Sequence, residues 1–120
     1  MRPFAWVVCC VLAYGCTRKP GELSFDAAGW QGRTSNVGAP PTVRERMVSD
    51  VVTRTLPGKT KLEIEQLLGP SLETSYFKSE RMDLIYFLGP EQGLFSVDSE
   101  WLLIWLDAGG RFKGAAVKRD

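Results

Sequence analysis

Helical and strand periodicities do not interleave in this chain, and that segregation constrains its fold more than any other feature. Residue 42 opens a capping-box pattern, Thr42-Val43-Arg44-Glu45, with Thr as N-cap and Glu three positions on. Apolar residues then recur at Val43, Met47, Val48, Val51, Val52 and Leu56, which is one helical stripe. Pro57-Gly58 ends it. Thr60 and Glu63 repeat the capping pattern, Leu62, Ile64, Leu67 and Leu68 follow, and Gly69-Pro70 reads as a helix stop. Only after this do strand signals start. Residues 74–77 form a short candidate, residues 84–88 a strong one, and residues 101–106 the strongest. Residues 107–111 read as a hairpin turn with a three-residue loop, Gly110 taking the left-handed position, and residues 112–118 return. The order α-α-β-β-β predicts an α+β domain. Its helical hairpin packs on one face of a three-stranded antiparallel sheet.

All three cysteines, Cys9, Cys10 and Cys16, precede that domain, so residues 42–120 must fold without a disulfide. Met1-Arg2 is a minimal positive region, and residues 4–14 are an unbroken apolar run. The run is too short for a bilayer span, which needs ~20 residues, and fits a signal-peptide core. Residues 1–15 are therefore expected to be a signal peptide. Leu12-Ala13-Tyr14-Gly15-Cys16 resembles a lipoprotein box, with lipid expected on Cys16. An ordinary cleavage after Ala13-Tyr14-Gly15 is the alternative, and would leave a soluble secreted or periplasmic chain with one free thiol. Thr17, where proteobacterial lipoproteins kept in the inner membrane carry Asp, points to the outer membrane. Residues 17–41 are rich in Gly and Pro without periodicity, and predict a flexible tether from residue 16 to residue 41. Phe25 and Trp30 are unusual within a tether: exposure is the simpler expectation, and docking on the domain the alternative.

Charge and composition narrow the chemistry. Fifteen Lys+Arg against fourteen Asp+Glu give +1, which leaves no basic field for nucleic acid. The chain has no histidine, which removes His-dependent triads, His-ligated zinc and His-bound haem. Gly58-Lys59-Thr60 lacks the first glycine and preceding strand of a phosphate loop, and reads as a turn and N-cap. Asp98, Glu100 and Asp107 do not form a calcium loop and read as turn and strand-entry residues. The serines have no His partner and no S-x-x-K frame. The expectation is a chain with no catalytic residues, metal, cofactor or small-molecule substrate.

Leu56-Pro57-Gly58-Lys59-Thr60, Ile64, Leu67-Leu68-Gly69-Pro70, Tyr86-Phe87-Leu88-Gly89-Pro90-Glu91, Asp98-Ser99-Glu100-Trp101-Leu102 and Leu106-Asp107 with Gly110, behind a lipoprotein leader, resemble the BamE/SmpA/OmlA lipoprotein family. The likeness runs over residues 43–118. Pro70 directly after Gly69, and Leu106 in place of Phe, depart from the family pattern. The resemblance implies an α+β domain shared in outline with β-lactamase inhibitor proteins. It also implies a non-enzymatic accessory role in outer-membrane β-barrel assembly, through protein and phospholipid partners.

Both faces of residues 101–106 are apolar. With Leu106 opposite Phe112, alternation turns Leu102, Ile104, Leu106, Phe112 and Ala116 to the helices. Trp101, Leu103, Trp105, Lys113, Ala115 and Val117 then point away. Two helices cover one face only, so Trp101, Leu103 and Trp105 are the candidate partner-binding residues, unless the Trp30 segment covers them. The expected function is a lipid-anchored, periplasm-facing envelope module that binds a protein partner. An inhibitor-type module on a periplasmic enzyme is the alternative, and a ligand-binding lipoprotein a weaker one.

Overall fold

The computed structural model describes residues 20–90 and 98–120. Cys16, the signal peptide and residues 91–97 lie outside them. Helices pack against one face of a three-stranded antiparallel sheet, as the segregated periodicities predict. The described elements are α1 (Ala27–Trp30), α2 (Val43–Asp50), a π-turn (Val51–Thr55), α3 (Lys61–Leu68), a 3-10 turn (Lys78–Glu80), β1 (Leu84–Pro90), β2 (Ser99–Leu106) and β3 (Phe112–Arg119). The sheet order is β1-β2-β3.

Both predicted capping boxes form. Thr42 accepts from the Glu45 N–H while the Glu45 carboxylate accepts from the Thr42 N–H, and Thr60 and Glu63 do the same for α3. The buried stripe of α2 reaches Leu56 because the helix widens at its end. The Leu56 N–H bonds the Val51 carbonyl at 2.9 Å, an i→i+5 closure, so Leu56 stays on the face of Met47 and Val51. Gly69 closes α3 at φ +87°, a value that favours glycine.

β1 and β2 each put alternate side chains on opposite faces. Leu84, Tyr86, Leu88, Leu102 and Ile104 join Met47, Val51, Leu56, Ile64 and Leu68 in the main core. Ile85, Trp101 and Leu103 form a second cluster behind the sheet. β1 runs two residues past its predicted end, because Gly89 and Pro90 still pair with Glu100 and Ser99 beyond a bulge after Phe87.

Three expectations need correction. Residues 16–41 were expected to be a tether, but from residue 20 the chain belongs to the domain. Asp26 caps α1, and Trp30 is fully buried against Tyr86, the two ring centroids 6.5 Å apart at 75°. The Leu23 N–H donates to Arg46 O at 2.8 Å and the Phe25 N–H to Asp50 Oδ2 at 2.7 Å. One large aromatic and a few backbone bonds suffice to dock a segment that shows no periodicity.

Residues 74–77 form no strand. Phe77 sits at φ +61° and leads into the 3-10 turn, and Arg81 leaves it at φ +56°. The segment begins beside β1, where Ser71 Oγ accepts from the Ile85 N–H at 2.8 Å and the Leu72 N–H donates to Ile85 O at 3.0 Å. It then crosses behind the sheet instead of extending it.

The predicted Leu106–Phe112 pair is present, but Trp105 pairs with Gly114, so β3 carries one extra residue at Lys113. That bulge inverts the expected faces of β3 beyond Lys113, while β2 and Phe112 keep theirs. Ala115 pairs with Ile104 and packs on the main core, whereas Ala116 pairs with Leu103 behind the sheet and Val117 shares Leu102's face.

Candidate functional site

The three candidate partner residues do come together, at the back of β2. The structure covers two of them with the chain itself. Leu103 is fully buried and Trp101 is 9% exposed, so Leu103 is core rather than contact surface. What covers them is residues 71–83, not the Trp30 segment, which went to the other face. Phe77, Met82, Phe87 and Trp105 pack on the cluster. Asp83 holds the crossing segment to β2 twice, its N–H on Ile104 O at 2.9 Å and its carboxylate on the Leu106 N–H at 2.7 Å. Phe87 and Tyr76 flank the Trp101 ring at 5.0 and 5.6 Å between centroids. The Trp101 indole N–H donates to Asp120 Oδ2 at 2.9 Å. The Ser99 N–H and that indole together hold the Asp120 carboxyl below the usual carboxylate range.

Trp105 keeps a partly exposed ring while its indole N–H donates to Glu80 O at 2.9 Å. Tyr76 is 50% exposed and Leu72 46%. The outward aromatic surface of the back face is therefore Tyr76 and Trp105, carried on and beside a segment of irregular backbone. Sequence reasoning found Trp105 and missed Tyr76. The one signal for it was an aromatic pair, Tyr76-Phe77, inside a stretch that reads as a short candidate strand.

A cleft of about 220 Å³ opens beside the C-terminal end of α3, lined by Gln31, Asn36, Arg44, Leu68, Gly69, Pro70, Leu72 and Tyr86. The Arg44 guanidinium lies in its wall, half-buried. Arg44 Nε donates to Trp30 O at 2.9 Å and to Ser35 Oγ at 3.0 Å, and Nη1 donates to Phe87 O at 2.9 Å. The guanidinium also lies 5.0 Å from the Trp30 ring centroid. Burial lowers its pKa, and among the described residues no carboxylate pairs with it. Tyr86 donates its hydroxyl to Gly69 O at 2.9 Å, and burial, with the Glu65 carboxylate second, pushes that phenol up. Sequence reasoning met Arg44 only as a member of the first capping-box pattern, since nothing in the sequence shows that residues 30–35 fold back over it.

At the N-terminus of α2 two carboxyls are buried together. Glu45 is 7% exposed and Glu100 8%. Glu45 Oε1 accepts from the Thr42 N–H at 2.7 Å, while Oε2 is buried without a hydrogen-bond partner. Glu100 Oε2 accepts from Arg119 Nε at 3.4 Å. Burial raises the Glu45 pKa, and the facing Glu100 adds to the rise against the lowering by the Thr42 hydrogen bonds. Asp107 takes its predicted turn role, accepting from the Gly109 and Arg111 N–H groups. Among the described residues no group of three or more Cys, Asp or Glu side chains could hold a metal ion. No helix among them is long and apolar enough to cross a membrane.

No family model, curated protein or solved structure matches the chain.

Proposed function

We propose that this chain is a lipid-anchored envelope protein, held at the outer membrane through Cys16, that acts by binding a protein partner with the back of its sheet. The observation that carries the reading is the pairing of a half-exposed Tyr76 with a nearly buried Trp101 beside the partly buried Trp105. Aromatic residues backed by a rigid core expose large contact area with little conformational freedom to lose on binding. The lipoprotein-type leader supports the anchor, and the resemblance of residues 43–118 to the BamE/SmpA/OmlA family supports an accessory role in envelope assembly.

The test is site-specific photo-crosslinking in cells, with the crosslinker in place of Tyr76 or Trp105 and, as control, of exposed Leu62 on α3. A discrete adduct from the first two positions, absent from Leu62, is expected. A β-barrel assembly component in that adduct supports the accessory reading, and a soluble periplasmic hydrolase would move the function to inhibition. Equal or no crosslinking at the three positions overturns the back face as the contact surface.

A further inference from the structure

We propose that the Arg44 cleft binds a small carboxylate carrying a short apolar body. The first argument is charge. A guanidinium has five N–H donors. Here the Nε–H and one Nη1–H are taken by Trp30 O, Ser35 Oγ and Phe87 O, all neutral acceptors, and Nη2 has no acceptor among the described residues. A half-buried cation whose bonds all go to neutral acceptors lacks a counter-charge, and a carboxylate pairs well with the remaining N–H donors of a guanidinium. The bonds already made also fix the fork in place before any ligand arrives.

The second argument is the distribution of the walls. Gln31, Asn36 and Arg44 supply the polar end, whereas Leu68, Pro70 and Leu72 supply an apolar one. The Gln31 amide spends its N–H donors on Gln66 O and Leu67 O, which turns its nitrogen away from a ligand and leaves Arg44 and Asn36 as the donors. The third argument is size. The cleft of about 220 Å³ lies below the ~300–1,000 Å³ of sites for drug-sized ligands, so it suits a small one. A branched short-chain acid has that size and shape, and so does the last residue of a peptide with its terminal carboxylate. The two sources share one chemistry. The inference is independent of the anchor and of the back face.

Titration of the 15N-labelled full chain with isovalerate tests it. Saturable shifts are expected at the Arg44 Nε–H and at the Gly69 and Leu72 amides, with none from the uncharged isovaleramide. A short peptide ending in leucine, compared with its C-terminal amide, separates the sources. Saturation by the free-acid peptide assigns the site to a peptide terminus, and its failure assigns the site to a free acid. Arg44→Gln should weaken isovalerate at least tenfold. Because Arg44 also holds residues 30–35, Leu72→Trp is the companion variant: it fills the apolar end, leaves every Arg44 bond intact and should abolish saturation. No saturable shift with isovalerate overturns the proposal. So do equal shifts from acid and amide, or unchanged binding by Leu72→Trp.

Discussion

Single atoms decide much at the junction of α2 with the sheet. Thr42 Oγ1 donates to Leu88 O at 2.6 Å while accepting from the Glu45 N–H, so the helix cap is also a clamp on β1. β1 approaches so closely there that a Cβ on Gly89 would lie 2.6 Å from Thr42 Cγ2, at a φ of +146° that L side chains rarely adopt. Gly89→Ala is expected to cost ~1–3 kcal/mol, read as a lower urea midpoint at unchanged slope. Glu45 beside it has a pKa raised in the folded state by burial first and by Glu100 in part. The folded chain then binds this proton more tightly than the unfolded chain does. The stability this group contributes is full below the unfolded carboxyl pKa of ~4.3 and falls as pH rises through the folded value. Glu45→Gln keeps the N3 side chain of the capping box and removes the charge. Urea unfolding at pH 4 and pH 7 should show the variant losing less stability between the two than the parent. An equal loss in both would remove Glu45 as the source.

β2 is the element on which both cores depend, because its two faces are both covered. Ile104 and Leu103 are each fully buried, one in front and one behind. Truncating either to Ala should cost ~2–5 kcal/mol by chemical unfolding. Trp105→Ala, on the same face as Leu103 but partly exposed, should cost less stability and act chiefly on partner binding. If Trp105→Ala unfolds the domain as badly as Leu103→Ala, the ring is core and the back face loses its outward anchor. The segment over that face is bonded to the sheet near its two ends, through Ser71, Leu72, Glu80 and Asp83, and has Phe77 and Arg81 in left-handed conformations. Such a covering is the kind of element that opens at a free energy below that of the whole domain.

The whole molecule depends on chain outside the hairpin-and-sheet unit. Trp30 seals the main core from residues 23–35, touching Tyr86 and carrying Arg44 on its face. Trp30→Ala is expected to lose ~3–5 kcal/mol, a large part of the ~5–15 kcal/mol that holds a domain folded. A thermal midpoint within a degree of the parent would show that residues 23–35 are dispensable. On the proposed anchor at Cys16, this docking brings the start of the described chain within a few residues of the lipid. Cys16→Ser is expected to release the chain from the membrane fraction, since two or more acyl chains make anchoring stable. Unchanged fractionation would sink the anchor.

Local chemistry was enough to determine the elements and their order. Two capping boxes, Pro57-Gly58, Gly69-Pro70 and the Asp107 turn are short-range signals, each satisfied within a few residues of where it is written. The α+β class followed from them, as did the alternation of β1 and β2. Neither candidate site was readable in full. Trp101, Leu103 and Trp105 were legible as one face of one strand, but whether that face met water depended on residues 71–83, which have no period to announce them. The register beyond Trp105 turned on a single extra residue at Lys113, and side-chain alternation carries no memory across such a bulge. The Arg44 cleft exists only because residues 23–35 fold back over α2. Capping and periodicity act over a turn or two of chain. The docking of an aperiodic segment through one tryptophan, and the burial of the groups beneath it, is settled by which surfaces remain uncovered once the helices and sheet have packed.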